Sequence, residues 1–162
     1  MSFRIGTGVD IHRFDSGRDL WLGGILIEGH PGLAGHSDAD VMIHALIDAL
    51  LGASGYGDIG ELFPDTDDSL KNVRSTVLLK RVADKLHEEG WSVVNIDSVI
   101  LCETPKILPY KEQMRKTVAE ILNIDPGSIM IKGKTSEKLG FTGRKEGVFS
   151  MAVVLIERRR SN

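Results

Sequence analysis

The chain has 162 residues, 41% of them hydrophobic and 27% charged, which suits one domain that buries its core without cross-links. Its net charge of -3 gives no electrostatic reason to expect nucleic acid or an anionic membrane as partner. A single cysteine, Cys102, excludes an internal disulfide. No apolar run is long enough for a bilayer, and the start lacks a signal peptide's layout. The expectation is a cytoplasmic protein with one catalytic domain over residues 1–162, ordered from about 3 to 157.

Residues 3–12 alternate. Phe3, Ile5, Val9 and Ile11 fall on one face, and Arg4, Gly6, Gly8, Asp10 and His12 on the other, the period of a half-buried strand. After a turn at 15–17, a second strand is predicted over 21–27, followed by a Gly- and Pro-rich loop over 29–35. Ser37 or Asp38 suits the N-cap of a helix reaching about Ala53. A second helix is predicted over 71–89, with Val73, Val77, Leu78, Val82 and Leu86 on one stripe and Gly90 to end it. A strand over 91–102 precedes a third helix, with Pro109 in its first turn and its end near Asn123. Met114, Val118, Ile121 and Leu122 should turn inward in that helix. Two last strands are predicted near 129–135 and 146–156. With no repeat or linker, the order predicts an α+β fold, a mixed sheet with helices packed on one face.

Asp10 and His12 stand two apart on the first strand, so both side chains leave the same face. Asp40, His44 and Asp48 are spaced at i, i+4 and i+8 on the first helix, forming one stripe. Residues 37–54 contain no Lys, Arg or Glu, so this reads as a buried helix with a narrow acidic and imidazole seam. Burying such groups without partners costs on the order of several kcal/mol for a charge. A divalent metal on Asp10, His12 and His44 would answer that need, and two imidazoles with one carboxylate are a common catalytic zinc set. Manganese and iron fit the same donors. Asp40 and Asp48 would then orient an imidazole or organise substrate. The alternative is a polar helix edge satisfied by hydrogen bonds alone. His30 and His87 have no such company and read as surface residues.

Several loops suit phosphate. His36-Ser37 precedes the first helix, whose N-terminal amides could hold an anion. Asp58, Ile59 and Gly60, then Phe63 to Asp67, form a polar stretch that would otherwise be read as turn chemistry. The segments 104–109 and 132–137 both follow strands, where ligand clefts form. Glu137 could hold a hard cation such as magnesium against a diphosphate. Gly140 to Gly147 carries Arg144 and Lys145 but no phosphate-loop or dinucleotide fingerprint. No Ser, Cys or Lys stands in the sequence company expected of an activated nucleophile.

Taken together in order, Asp10-Ile11-His12, His36-Ser37-Asp38-Ala39-Asp40, His44-Ala45, Asp58-Ile59-Gly60, Phe63-Pro64-Asp65-Thr66-Asp67 and Glu137-Lys138-Leu139-Gly140-Phe141-Thr142-Gly143-Arg144 resemble the 2-C-methyl-D-erythritol 2,4-cyclodiphosphate synthase family. The resemblance covers nearly the whole chain. It implies an enzyme of the non-mevalonate isoprenoid pathway, a phosphorus–oxygen lyase. Its substrate would be 4-diphosphocytidyl-2-C-methyl-D-erythritol 2-phosphate, cyclised with release of CMP. It implies zinc on Asp10, His12 and His44, with His36 and Thr135 assisting the transition state. Asp58 and Gly60 would contact the erythritol part, Phe63, Pro64, Asp65, Thr66 and Asp67 would line the same site, and Ser37 and Ile59 would also bind substrate. Cys102, Glu103, Thr104, Pro105, Lys106, Ile107 and Leu108, with Lys134 and Ser136, would surround the cytidine diphosphate. Phe141 and Arg144 join that binding set, and Glu137 would lie beside a magnesium or manganese ion. Such relatives are homotrimers with active sites between subunits and the sheet facing the threefold axis.

The chain departs from what many relatives show at Val9, where an aromatic residue is common, at Gly133-Lys134, and at Cys102. Two rival readings remain: a general zinc phosphohydrolase, which the donor set alone permits, and a trimer that binds isoprenoid diphosphates without turnover.

Overall fold

Two glycines decide how the first strand packs. In this computed structural model, which describes residues 2–64 and 66–158, strand β1 spans Ser2–Asp15 and helix α1 spans Val41–Ser54. The buried face of β1 carries Gly6 and Gly8, whereas Phe3, Ile5, Val9 and Ile11 are 54%, 71%, 51% and 54% exposed. A Cβ on Gly6 would stand 1.9 Å from Ala49 O, and one on Gly8 2.1 Å from Ala45 O. The bare backbone of β1 therefore lies directly beneath α1.

The helix itself is buried almost all round, as its lack of Lys, Arg and Glu suggested. Leu46, Ile47, Leu50 and Leu51 are wholly inaccessible, each contributing about 1.5–3 kcal/mol by burial. Its N-cap is Asp40, not Ser37 or Asp38. The Asp40 carboxylate accepts from Ile43 N at 3.0 Å, and also from Gly23 N at 2.9 Å and Gly24 N at 2.6 Å. That last pair explains why residues 21–27 do not form one strand. β2 (Trp21–Leu22) and β3 (Ile25–Leu26) make a tight hairpin, with Gly23 and Gly24 at φ of 58° and 81°, the geometry a two-residue turn demands.

The main sheet adds β4 (Gly32–Leu33), β5 (Trp91–Leu101), β6 (Ile129–Lys134) and β7 (Gly147–Arg158), in the order β4-β1-β7-β5-β6. β5 and β6 run parallel and every other pairing is antiparallel, so the sheet is mixed as predicted. α1 covers β1 and β7, while α3 (Ser75–Glu88) packs on β5 and α4 (Lys111–Leu122) on β6. Two one-turn helices, α2 (Ile59–Leu62) and α5 (Gly140–Gly143), complete the set. No described helix is long and apolar enough to cross a membrane.

The second long helix starts four residues later than its apolar pattern suggested. Residues 72 and 73 are already committed: Asn72 N donates to His36 O at 3.0 Å, and Asp38 N to Val73 O at 3.1 Å. That pairing keeps residues 72 and 73 out of the helix, with Asn72 at φ of 59°, and sets Ser75 beside Asp38. Leu78, Leu79, Val82 and Leu86 form the buried stripe, and Val77 is exposed.

Candidate metal centre

β1 and α1 bring Asp10, His12 and His44 to one point. Asp10 Oδ2 lies 2.9 Å from His12 Nε2 and 3.0 Å from His44 Nδ1, and the two nitrogens are 3.2 Å apart. The carbonyl of Ala34, 2.5 Å from His12 Nδ1, can only accept, so Nδ1 donates, and the neutral ring carries its lone pair on Nε2, facing Asp10. Burial alone would raise the pKa of Asp10; without a metal, hydrogen bonds from the protonated His12 and His44 rings outweigh it and hold the carboxyl well below its usual range. Burial would likewise lower His12, but the bond to Asp10 outweighs it and the pKa rises. Ligand atoms this close need protons or a cation between them. All three lie within 4.8 Å of one another, and the mixed nitrogen and oxygen set fits a divalent transition metal.

The three residues line a cavity of about 290 Å3 with Gly35, His36, Ser37, Ile59, Gly60, Phe63, Leu70, Val73 and Leu78. His36 has a buried Nε2 with no hydrogen-bond partner among the described residues. Asp48 receives Ile59 N at 2.8 Å, tying the 58–60 turn to α1, and Asp58 caps that turn through Glu61 N at 2.8 Å. Asp40, by contrast, touches no imidazole; its partners are the amides of the hairpin and of α1. The amide of Ile43 in α1 is thus satisfied by the chain's own carboxylate and is not free for an anion. Pro64, Thr66 and Asp67 are exposed, and Asp67 accepts from Ser69 N at 2.9 Å. Asp65 lies outside the described residues.

A second cavity, of about 400 Å3, gathers Cys102, Pro105, Lys106, Ile107, Leu108, Lys134 and Thr135. Thr135 thus lines a different cavity of the chain from His36. Burial, with Glu103 adding to it, pushes the Cys102 thiol up to about 11, so it is no thiolate nucleophile. Glu103 Oε1 accepts from Ser136 N at 3.1 Å, Ser136 Oγ at 3.1 Å and Lys138 N at 3.3 Å. This clamps a turn in which Glu137 and Lys138 take φ of 54° and 66°. Glu137 is exposed and accepts from Thr135 Oγ1 at 2.5 Å. Thr104 Oγ1 lies 3.4 Å from His30 Nδ1. Phe141 is half-buried, and exposed Arg144 pairs with Glu146 at 2.8 Å.

Three contacts of the metal centre escaped the sequence. Ser75, Asp38 and Arg74 stand behind His44, with Ser75 Oγ 2.8 Å from His44 Nε2. A serine opening a helix carries no signal that distinguishes it from an ordinary capping residue. Nor is Ser75 an activated nucleophile: it is wholly buried, and its hydroxyl donates to Asp38.

The family model described as the YgbB family matches residues 3–157. The chain belongs to the YgbB family. Within it, a relative from Caldicellulosiruptor bescii named 2-C-methyl-D-erythritol 2,4-cyclodiphosphate synthase is 53% identical over 154 residues, 95% of this chain and 98% of its own length. A synthase of the same name from Listeria monocytogenes serotype 4b is 50% identical over 96% of this chain and 99% of its own length. Among solved structures, the bifunctional IspDF of Campylobacter jejuni aligns with a TM-score of 0.93 at 44% identity, over 98% of this chain and 43% of that one. The CDP complex of Plasmodium falciparum IspF aligns with a TM-score of 0.85 at 33% identity, over 98% of both chains. The two named relatives are cyclodiphosphate synthases, and the fold of the present chain is that of the two solved structures.

Proposed function

We propose that the chain converts 4-diphosphocytidyl-2-C-methyl-D-erythritol 2-phosphate to 2-C-methyl-D-erythritol 2,4-cyclodiphosphate and CMP. The observation that carries this reading is the convergence of Asp10, His12 and His44 at one wall of a cavity, in a chain whose relatives bear that name. An oxygen of the substrate's 2-phosphate attacks the β-phosphorus. The bond from that phosphorus to the bridging oxygen breaks, and CMP leaves with the oxygen. The substrate supplies its own nucleophile, so the protein needs none.

The protein's work is positioning and charge neutralisation. Asp10, His12 and His44 would hold zinc, and Glu137 a magnesium or manganese ion beside the diphosphate. Such cations supply stabilisation of developing negative charge on phosphoryl oxygens. His36 and Thr135 assist the transition state. Ser37, Ile59, Gly60 and Phe63 line the erythritol part, and residues 102–108 with Lys134 and Ser136 hold the cytidine diphosphate. Keeping attacker and target together supplies roughly 7 kcal/mol or more of the barrier, and excluding water suppresses hydrolysis.

His36 and Thr135 line separate cavities of one chain, which favours a homotrimer in which neighbouring copies complete each site. The apolar face of β1, with Met130 44% exposed on β6, supplies the surface for that assembly. The reading further takes the chain as a cytoplasmic protein with a single catalytic domain.

The test is product analysis by phosphorus NMR with zinc and magnesium present. CMP and a cyclic diphosphate support the reading; inorganic phosphate or an opened ester indicates a phosphohydrolase. His44→Ala should abolish zinc binding and turnover while the fold persists. Turnover without any divalent ion rejects the reading, and ligand binding with no turnover in the wild type indicates a binding module.

A further inference from the structure

One side of the His44 ring faces Asp10 and His12; the other side ends on Ser37 and on Ser75 and Asp38, of which the proposed reaction uses only Ser37. His44 Nε2 lies 2.8 Å from Ser75 Oγ and 3.0 Å from Ser37 Oγ. Ser75 is fully buried, and its hydroxyl contacts Asp38 Oδ1. The Asp38 carboxylate, 6% exposed, collects three further donors. Oδ2 accepts from Arg74 Nε at 2.8 Å and Ser75 N at 3.0 Å, and Oδ1 accepts from Asp40 N at 3.2 Å. Arg74 is itself held, by Gly24 O at 3.1 Å and by the Trp21 ring, 3.2 Å from its guanidinium.

The direction of each proton follows from what each atom can do. A carboxylate among donors only accepts, so the Ser75 hydroxyl gives its proton to Asp38. The Ser75 oxygen is then offered to His44 as an acceptor, which favours the tautomer with its proton on Nε2. That tautomer carries its lone pair on Nδ1, the atom turned toward Asp10 Oδ2 and His12 Nε2. We propose that Asp38 and Ser75 are positioning residues that hold His44 in its ligating tautomer, with Arg74 fixing Asp38. This rests on the reading of Asp10, His12 and His44 as a metal centre. Partners of this kind behind a ligating imidazole set its orientation and its basicity.

Asp38→Asn tests the direction of the relay with little change of shape. Arg74 Nε and Ser75 N both need an acceptor, so the asparagine carbonyl oxygen takes that place and its amino group faces Ser75. Ser75 must then accept from the amide and turn its own proton toward His44 Nε2, opposing the ligating tautomer. Zinc affinity is measured by competition with a chromophoric chelator, and the His44 Nε2 proton is followed by NMR in zinc-saturated protein. In the wild type this proton is expected downfield and slow to exchange. In Asp38→Asn it should shift upfield or vanish by exchange, with zinc bound roughly 10–100-fold more weakly. Unchanged zinc affinity with an unchanged Nε2 resonance overturns the relay. If Asp38→Asn does not fold, Ser75→Ala decides. Weaker zinc binding with loss of the protected proton supports the relay, and wild-type behaviour in both overturns it. A wild type that binds no zinc overturns the metal centre itself, whereas normal wild-type binding with insensitive variants overturns the relay alone.

Discussion

Gly8 lies so close beneath Ala45 that a Cβ added to it would stand 2.1 Å from the Ala45 carbonyl oxygen. Ala45 follows His44, and Gly8 precedes Asp10 by two residues on the same face of β1. This one contact therefore sets the separation between the strand-borne ligands and the helix-borne one. Gly8→Ala must lift α1 from β1. Overpacking of this sort costs about 1–3 kcal/mol or more, and it should lower both Tm and zinc affinity. Gly52→Ala is the control, because a Cβ there meets nothing within 4 Å. It should raise stability, by about 1 kcal/mol at most, through helix propensity. Equal behaviour of the two variants would contradict this role for Gly8.

Metal-free protein should be most stable in a window of mildly acidic pH. Asp10 is depressed below its ordinary 3.8, so its contribution is present above that value and is lost as pH falls toward the depressed one. His12 is raised above its ordinary 6.5, so its contribution is complete below 6.5 and lost as pH climbs past the raised value. Between these limits the ion pair is intact. Zinc affinity should run the other way at the upper edge, rising as His12 loses its proton. Thermal melts from pH 4 to 9, with and without chelator, check both signs; a chelated protein that gains stability on going from pH 6 to 9 contradicts them.

Glu103 and Glu137 should act on the diphosphate side and leave zinc alone. Glu103 holds the turn that presents Glu137, and Glu137→Gln removes the carboxylate charge offered to a hard cation. Glu137→Gln should raise the magnesium concentration needed for half-maximal turnover. Glu103→Ala should do so too, by loosening the turn, and should add a rise in KM. Zinc content, measured by elemental analysis, should match the wild type in both. Loss of zinc with magnesium dependence intact would show that the two ion sites had been exchanged.

Ile5, 71% exposed on the outer face of β1, probes assembly. Ile5→Asp touches no residue of the metal centre, so zinc binding by the folded chain should persist. Burying its charge against another copy is costly, so sedimentation should show dissociation to monomers, and turnover should fall with it. A wild type that sediments as a monomer at micromolar concentration would remove the argument that neighbouring copies complete the site.

Local spacing along the chain was enough to identify the donor set and its carriers. The i, i+2 spacing of Asp10 and His12 and the helix around His44, free of Lys, Arg and Glu, state, through local periodicity, which side chains share a face. The same local rules located α1, the long strands and the apolar character of the core. Which face of β1 is buried was not legible, because periodicity reports alternation but not which side another element covers. Only the approach of α1 onto Gly6 and Gly8 decided that the glycine face goes in and the apolar face stays out. The split of residues 21–27 into a hairpin, and the late start of α3, were likewise settled by partners distant in the chain: Asp40 on the Gly23 and Gly24 amides, and His36 and Asp38 on residues 72 and 73. The same long-range pairing puts Ser75 against His44. Hydrogen bonds across 31 to 37 residues leave no trace in local spacing, so only the tertiary structure could bring them into view.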